Sequence, residues 1–305
     1  MIKNSLQNKS VLVTGGTGSI GRALVAKILE QKPKLVKIFA RDEYAHWVLE
    51  KELEEQFLKD SFLHIIGDVR DERRMLSACA GVDIVFHTAG LKHVPYAEQN
   101  PEEAFEINVQ GGRNVIHAAA QSGVRRVVAI STDKAVNPTS VMGISKLLME
   151  RLFVADWSRY GFSTQFSVVR MGNVMNTRGS VIQRWTEQAG AGHPITVTDK
   201  SMRRFMISID QATDFILTAS DLMLGREIFV PHMNELNMFD LAQGIIKEHA
   251  DGKEIKIVFT GMREREKISE ALFTTDEQIL SLEKSGCRVI LPNTDLINER
   301  KNAYE

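Results

Sequence analysis

The stretch "VLVTGGTGSIG", Val11 to Gly21, decides the fold. An apolar run passes into a turn with Gly15, Gly18 and Gly21 and then into a helical pattern. Glycines at this spacing permit a tight turn, close backbone approach to a pyrophosphate and close helix packing. The free N–H groups of the opening helix face the anion. The glycine pattern alone is a weak signal, but its place after a strand and before a helix points to a dinucleotide site. Thr17, Ser19 and Ile20 lie in the same loop and are read as cofactor-binding with the three glycines.

Outward from this turn, further apolar runs recur between helical segments: "LVKIFA", "FLHIIG", "VDIVFHTAG", "RVVAIS" and "FSVVRMGN". Near-continuous Val/Ile/Leu runs fit strands covered on both faces, and the segments between them fit crossover helices. The class is α/β, a Rossmann-like doubly wound parallel sheet. One helix is predicted from Pro101, with Asn100 as N-cap, acids in its first turn and Gly123 at its end. After Gly172 shorter elements take over, as in "GHPITVTD", "RRFMISIDQATDFIL" and "GREIFVP". Residues 1–172 are therefore read as the cofactor-binding domain and 173–305 as mainly a smaller C-terminal substrate lobe, with possible return segments to the first domain. A lobe beyond the carboxyl ends of the strands defines a cleft with them. The tail "NERKNAYE" reads as a mobile end.

A chain of 305 residues with 43% hydrophobic content buries a substantial core. A net charge of -1 and a pI near 6.7 give no field that recruits nucleic acid or an anionic membrane, so neither is expected as a partner. Cys79 and Cys287 match no disulfide or metal spacing and suit packing in a reducing compartment. No His/Asp/Glu cluster suggests a metal. The start, "MIKNSLQNKS", lacks the apolar core of a secretory signal, and no stretch approaches the ~18 apolar residues of a membrane span, so a cytoplasmic location is expected. The helix after Ser140 carries Leu147, Leu148, Met149, Leu152, Phe153, Val154 and Ala155 on more than one face. That surplus predicts a homodimer or larger homo-oligomer, the alternative being burial beneath the C-terminal lobe.

"FARDE" sets Arg41 just ahead of Asp42 at the end of the second strand. A guanidinium there favours the 2'-phosphate of NADP; in the competing reading Arg41 is a solvated charge and Asp42 binds the ribose of NAD. "GDVRD" brings Asp68 and Val69 toward the adenine, and in "HTAGLKHV" small Ala89 and Gly90 let backbone approach the cofactor. Lys92 is placed to contact cofactor or sugar. His87 reads as structural, and His93 takes no assigned role.

With "TGGTGSIG", "GDVRD", "LKHVP", "STDKAVNPTSVMGISK", "RMGNV", "RGSV" and "MRRF" in this order, the chain resembles the extended short-chain dehydrogenases/reductases. More narrowly, it is similar to the nucleotide-sugar 4,6-dehydratases that act on UDP-N-acetylglucosamine in bacterial surface-glycan synthesis. The likeness runs from about residue 8 to 275. It implies an NADP reduced and reoxidised within one turnover: hydride leaves sugar C4, the ketone acidifies C5–H, water is lost across C5 and C6, and hydride returns to C6. The product is a 4-keto-6-deoxy sugar nucleotide.

The resemblance implies Lys134 as the base for C5–H and Asp133 as the acid for the departing C6 hydroxyl. It gives Lys146 the nicotinamide ribose and a positive charge near the reacting oxygen. Met142 stands one helical turn before Lys146, where many relatives carry tyrosine. A methionine-bearing subset of these dehydratases resembles the chain here. Thr132, a water or Asp133 is left to accept the O4 proton. On the substrate side the resemblance implies Asn173, Ser180 and Val181 lining the sugar-nucleotide site, Thr196 near the base and Arg204 on the diphosphate, and Lys92 and Met142 are read with them as substrate-binding. "GMREREKISEAL" keeps Arg263 and Glu266 of a family segment usually written with proline and glycine between them, where this chain has Glu264 and Arg265. UDP is the default nucleotide and GDP the alternative. Two further functions stay open: a nucleotide-sugar epimerase and a non-catalytic NADP-binding regulator. Retained Asp133, Lys134 and Lys146 argue against the regulator.

Overall fold

A computed structural model of the chain describes residues 5–250, 252–284 and 286–304. The first half runs β1 (Ser10–Thr14), α1 (Ser19–Glu30), β2 (Leu35–Ala40), α2 (Glu43–Glu54), β3 (Phe62–Ile66), α3 (Glu72–Cys79), β4 (Ile84–His87), α4 (Val94–Gln99), α5 (Pro101–Phe105), α6 (Gly111–Gln121), β5 (Arg126–Thr132), α7 (Val141–Phe153) and β6 (Gln165–Met171). The second half follows as β7 (Asn173–Val174), α8 (Val181–Ala191), β8 (Ile195–Val197), β9 (Arg203–Ile207), α9 (Ile209–Leu222), β10 (Ile228–Pro231), β11 (Asn234–Asn237), α10 (Met238–His249), β12 (Ile257–Phe259), α11 (Thr275–Ile279), β13 (Ser281–Lys284), β14 (Cys287–Ile290) and α12 (Thr294–Tyr304).

The main sheet has nine strands in the order β13-β14-β10-β6-β5-β4-β1-β2-β3. From β3 to β10 the pairings are parallel, and β14 and β13 close that edge antiparallel. Alternation along β1 shows why both faces are covered. Val11 and Val13 enter one core with Leu24, Ile28 and Ile216, while Leu12 enters the other with Val85, Val115 and Met75. Truncating the fully buried Leu12 to Ala is expected to cost about 2–5 kcal/mol.

The lobe beyond the strand ends has its own core, in which Trp185 and Ala189 of α8 meet Ile195, Val197, Met238 and Ala242. The Trp185 indole N–H, which would be costly to bury alone, donates to the Thr196 carbonyl at 2.8 Å. Elements after Gly172 also return to the main sheet, since β10 pairs with β6 and carries β14 and β13 beyond it.

Two local expectations are corrected, those for the helix from Pro101 and for the tail, and the apolar surplus of α7 is divided between core and surface. The helix from Pro101 is interrupted by a π-helical turn at Glu106–Gln110, and Asn100 makes no side-chain cap; its amide donates instead to the Tyr96 carbonyl at 2.9 Å. The surplus on α7 is mostly used within the chain: Met149, Phe153 and Val154 are buried in the second core, and Leu148 is 43% exposed. The tail is docked helix as far as Tyr304, which is buried against Phe229 and whose hydroxyl donates to Glu227 at 2.9 Å; Glu305 lies outside the described residues.

Candidate active site

A cleft of about 1210 Å³ lies where the carboxyl ends of the parallel strands meet the lobe. One end is walled by the glycine turn. Gly15 has φ +68°, and a Cβ there would stand 2.6 Å from the Ala89 backbone nitrogen, so only glycine lets β1 and β4 close at this point. Gly18 caps α1 without a side-chain hydrogen bond, leaving that helix's first N–H groups available to an anion. Gly15, Gly18, Ser19, Ile20, Gly21, Gly90 and Lys92 line the cleft, whereas Thr17 is buried outside its lining.

Arg41, Asp42, Asp68 and Val69 stand away from that lining, at the ends of β2 and β3. The exposed Arg41 guanidinium lies 3.5 Å from Asp68. Burial raises the Asp68 carboxyl, but hydrogen bonds from Arg70 outweigh it and hold the group below the usual range. Asp42 caps α2 by accepting from the Ala45 N–H at 3.1 Å. Val69 is core, packed against Gly111.

β5 ends at Thr132 and a 3-10 turn, Asp133–Ala135, follows it; Thr132 and Lys134 line the cleft, and Asp133 lies buried behind them, outside its lining. Thr132 Oγ1 donates to Asp133 Oδ1 at 2.9 Å, and Lys134 Nζ donates to the same oxygen at 2.9 Å and to Asn173 Oδ1 at 3.0 Å. Asp133 is fully buried, and its Oδ2 has no hydrogen-bond partner. Gly143 lets α7 pack onto this motif, since a Cβ there would sit 2.3 Å from the Lys134 carbonyl oxygen. The motif and the helix carrying Lys146 are thereby held together.

Lys146 is buried and donates to the Ile130 carbonyl at 3.1 Å. Desolvation brings its amine down to about 8, with Glu150 pulling the other way. Met142 is also buried, among Ala97, Ala104, Leu91 and Val94, with part of its surface on the cleft. His87 is stacked on Phe153 and shares a 2.7 Å hydrogen bond with Thr14; burial and nearby Lys146 push it down to about 3. His93 reaches the cleft wall beside Gly179, lowered by burial and by Lys92.

On the lobe side, Asn173, Ser180, Val181, Thr196, Arg204, Arg263 and Glu266 all line the cleft. Ser180 caps α8, and Arg204 Nη2 stands 3.5 Å from Glu266. Lys92 crosses toward the lobe and donates to the Arg178 carbonyl at 2.7 Å. Two residues escaped the sequence reading. Asn108, in the π-helical turn, accepts from Leu91 N–H at 2.8 Å and donates to Ser145 at 2.9 Å, fixing the loop after β4 against α7. A π turn leaves no periodic signal beyond an interrupted helix. Glu270 lines the cleft 3.9 Å from Lys134, brought there from a non-helical segment with no periodic signal.

Among the described residues no group of His, Cys, Asp and Glu is arranged to hold a metal, and no helix is long and apolar enough to cross a membrane. The glycine turn, the uncapped α1 terminus and the small residues after β4 fit a nicotinamide dinucleotide.

The model of a family described as polysaccharide biosynthesis protein matches residues 11–290. A relative from Campylobacter jejuni named UDP-N-acetylglucosamine 4,6-dehydratase (inverting) is 36% identical over 297 residues, covering 96% of this chain and 85% of the relative. One from Rickettsia canadensis named UDP-glucose 4-epimerase is 38% identical over 275 residues, 88% of this chain and 79% of the relative. Among solved structures, that of Pen from Bacillus thuringiensis superposes with a TM-score of 0.91 at 38% identity, covering 95% of this chain and 89% of that one.

Proposed function

Because the chain belongs to the polysaccharide biosynthesis protein family and so to the nucleotide-sugar dehydratases and epimerases, we propose that it is an NADP-dependent 4,6-dehydratase of a nucleotide-linked N-acetylglucosamine. The observation that carries this reading is the chain of hydrogen bonds Thr132–Asp133–Lys134–Asn173, which sets an alcohol, a carboxylate and an amine side by side at the end of β5. Elimination of water from a sugar needs an acid and a base on adjacent carbons, and this group supplies both.

Gly15, Gly18 and Ser19 would hold the cofactor's pyrophosphate, Arg41 its 2'-phosphate and Lys146 its nicotinamide ribose. When bound, the nicotinamide supplies hydride acceptance and return. Thr132 takes the O4 proton and passes it to Asp133 as the C4 ketone forms, with the Lys146 charge stabilising the oxygen. Lys134 then removes C5–H, and Asp133 protonates the leaving C6 oxygen. The same proton enters at O4 and leaves with O6, so no phenol is required and Met142 serves as an apolar wall. Asn173 orients Lys134; Ser180, Val181 and Thr196 receive sugar and base; Arg204 and Arg263 meet the diphosphate. UDP is the first choice of nucleotide and GDP the second. Tyr96, Phe105, Ile144 and Leu148, exposed on α4, α5 and α7, form the face on which we place a second copy of the chain.

The test is incubation of purified protein with UDP- and GDP-linked N-acetylglucosamine in deuterated water. A 4-keto-6-deoxy product labelled at C5 is expected. A product that keeps its 6-hydroxyl and changes configuration at C4 would replace this reading with the epimerase one, which the Rickettsia relative's name favours. No turnover of either sugar would sink both.

A further inference from the structure

The segment from Glu266 to Glu277 crosses from the lobe to the main domain and is tied at both ends. Near its start, Arg204 lies against Glu266, and both Arg203 N and Arg204 Nη1 donate to the Ile268 carbonyl at 2.9 Å. At its far end, Arg170 of β6 donates to the Leu272 carbonyl at 3.0 Å and is held between Glu150 and Glu277. Between these anchors Lys267 donates to the Val136 carbonyl at 2.8 Å, just past the Thr132–Lys134 motif.

The Glu270 carboxylate makes none of these hydrogen bonds. Its side chain is only 5% exposed, with one oxygen 3.9 Å from Lys134 Nζ and the other 3.4 Å from Lys267 Nζ. That second oxygen is buried and makes no hydrogen bond. Desolvating a carboxylate without hydrogen bonds is costly, and Lys267 beside that oxygen is the compensation present before the reaction. Asp133 and Asn173 each accept an N–H of Lys134, and Glu270 stands on the cleft wall 3.9 Å from the same nitrogen.

We propose that Glu270 is a positioning residue for Lys134, steadying the ammonium that forms when the C5 proton is taken; the proposal rests on the dehydratase reading. In that step the C5–H bond breaks, its electron pair passes into the enolate of the C4 ketone, and a new N–H bond forms on Lys134. As the electrons return to form C5=C6, the C6–O bond breaks and Asp133 gives its proton to the departing oxygen. Glu270 gains and loses no proton. It faces positive charge that appears only in this step, so its effect falls on elimination and not on C4 oxidation.

The test compares wild type, E270Q and E270D in deuterated water, reading C5 deuterium incorporation, the single-turnover C4 oxidation transient, KM and the thermal midpoint. For E270Q, deuterium incorporation is expected to fall about 10- to 100-fold, with the oxidation transient and KM within about twofold. E270D, which keeps the charge but withdraws it by one methylene, is expected to lie between the two. Loss of oxidation in parallel with exchange, a change in KM alone, or unchanged exchange would each overturn the proposal. Should E270Q fail to fold, E270D carries the test, with slowed exchange and intact oxidation as the supporting result. A wild-type protein that oxidises neither sugar and labels neither at C5 would instead overturn the dehydratase reading itself.

Discussion

The Thr132 hydroxyl donates to Asp133 Oδ1 at 2.9 Å, while Asp133 Oδ2 is buried with no partner. On the proposed route a proton arriving through Thr132 lands on the carboxylate that must later release one to O6. Replacing Thr132 by Val removes the hydroxyl at nearly constant shape and is expected to slow C4 oxidation about 100-fold, while Thr132→Ser stays near the parent rate. Single-turnover measurement of nicotinamide absorbance reads this directly. Undiminished oxidation in the Val variant would take Thr132 out of the relay.

Asp133 and Lys134 are adjacent in sequence but are assigned different steps, so their variants should stall differently. With Lys134→Met, no group removes C5–H: oxidation is expected, without solvent deuterium at C5. With Asp133→Asn, the O4 proton loses its acceptor: C4 oxidation is expected to fall about 100-fold, and C5 exchange, which needs the ketone, falls with it. Mass spectrometry of recovered sugar nucleotide separates the two patterns, and identical patterns would contradict the division of labour.

Much of this site was legible because its chemistry sits at strand ends, where sequence order and spatial order coincide. The strand "RVVAIST" is apolar from Val127 to Ile130 before Ser131 and Thr132, and the parallel sheet delivers Thr132 and Lys134 to the cleft with Asp133 buried between them. Residues recruited from far along the chain were harder to read. Glu270 reaches Lys134 across 136 positions, and no local periodicity encodes such a contact. Asn108 was hidden by a helix that changes pitch at the functional residue. Only part of the α7 surplus is used within the chain: Met149 and Phe153 satisfy α6 and the sheet, while Ile144 and Leu148 stay exposed. The docked tail escaped because its polar residues bury one tyrosine and place Arg300 on the buried Glu227.

Met142 is buried among Ala97, Ala104 and neighbouring aliphatic side chains, and its thioether has no proton to move. Leucine conserves most of its volume, so Met142→Leu is expected to keep kcat within about threefold and cost under about 1.5 kcal/mol. Steady-state kinetics with thermal unfolding checks both. A loss of about 100-fold would assign the sulfur a role that this geometry does not give it.

Arg170 is enclosed by Glu150 and Glu277 with almost no exposure of the three side chains. Burial alone would raise the Glu277 carboxyl, but hydrogen bonding and charge from Arg170 outweigh it and hold the group low. Because the folded value lies below the usual 4.5, this contribution is complete above that value and is lost as pH falls through the folded one. Arg170→Met strands two buried carboxylates and is expected to cost about 3–5 kcal/mol at neutral pH, measured by chemical denaturation. The deficit should shrink on acidification. A deficit that stays constant down to strongly acid pH would show that the pairing is not its source.

Lys146 couples activity and stability with opposite signs. Burial brings its amine from 10.5 down to about 8, so the charge proposed to support the O4 oxygen fades as pH rises past about 8. C4 oxidation is expected to decline above that pH, toward tenfold per unit, and Lys146→Arg should remove this limb even if its maximal rate is lower. Stability runs the other way. Between about 8 and 10.5 the unfolded chain binds the proton that the native chain has released, so the fold gains stability with rising pH across that window. Below it, burying the ammonium costs the fold about 3 kcal/mol. Lys146→Met should therefore be more stable than the parent at pH ~7 and nearly inactive, with the stability difference vanishing at high pH. Denaturation curves at several pH values and the oxidation transient decide it. A methionine variant less stable than the parent at neutral pH would mean that the Ile130 hydrogen bond outweighs the desolvation of the amine.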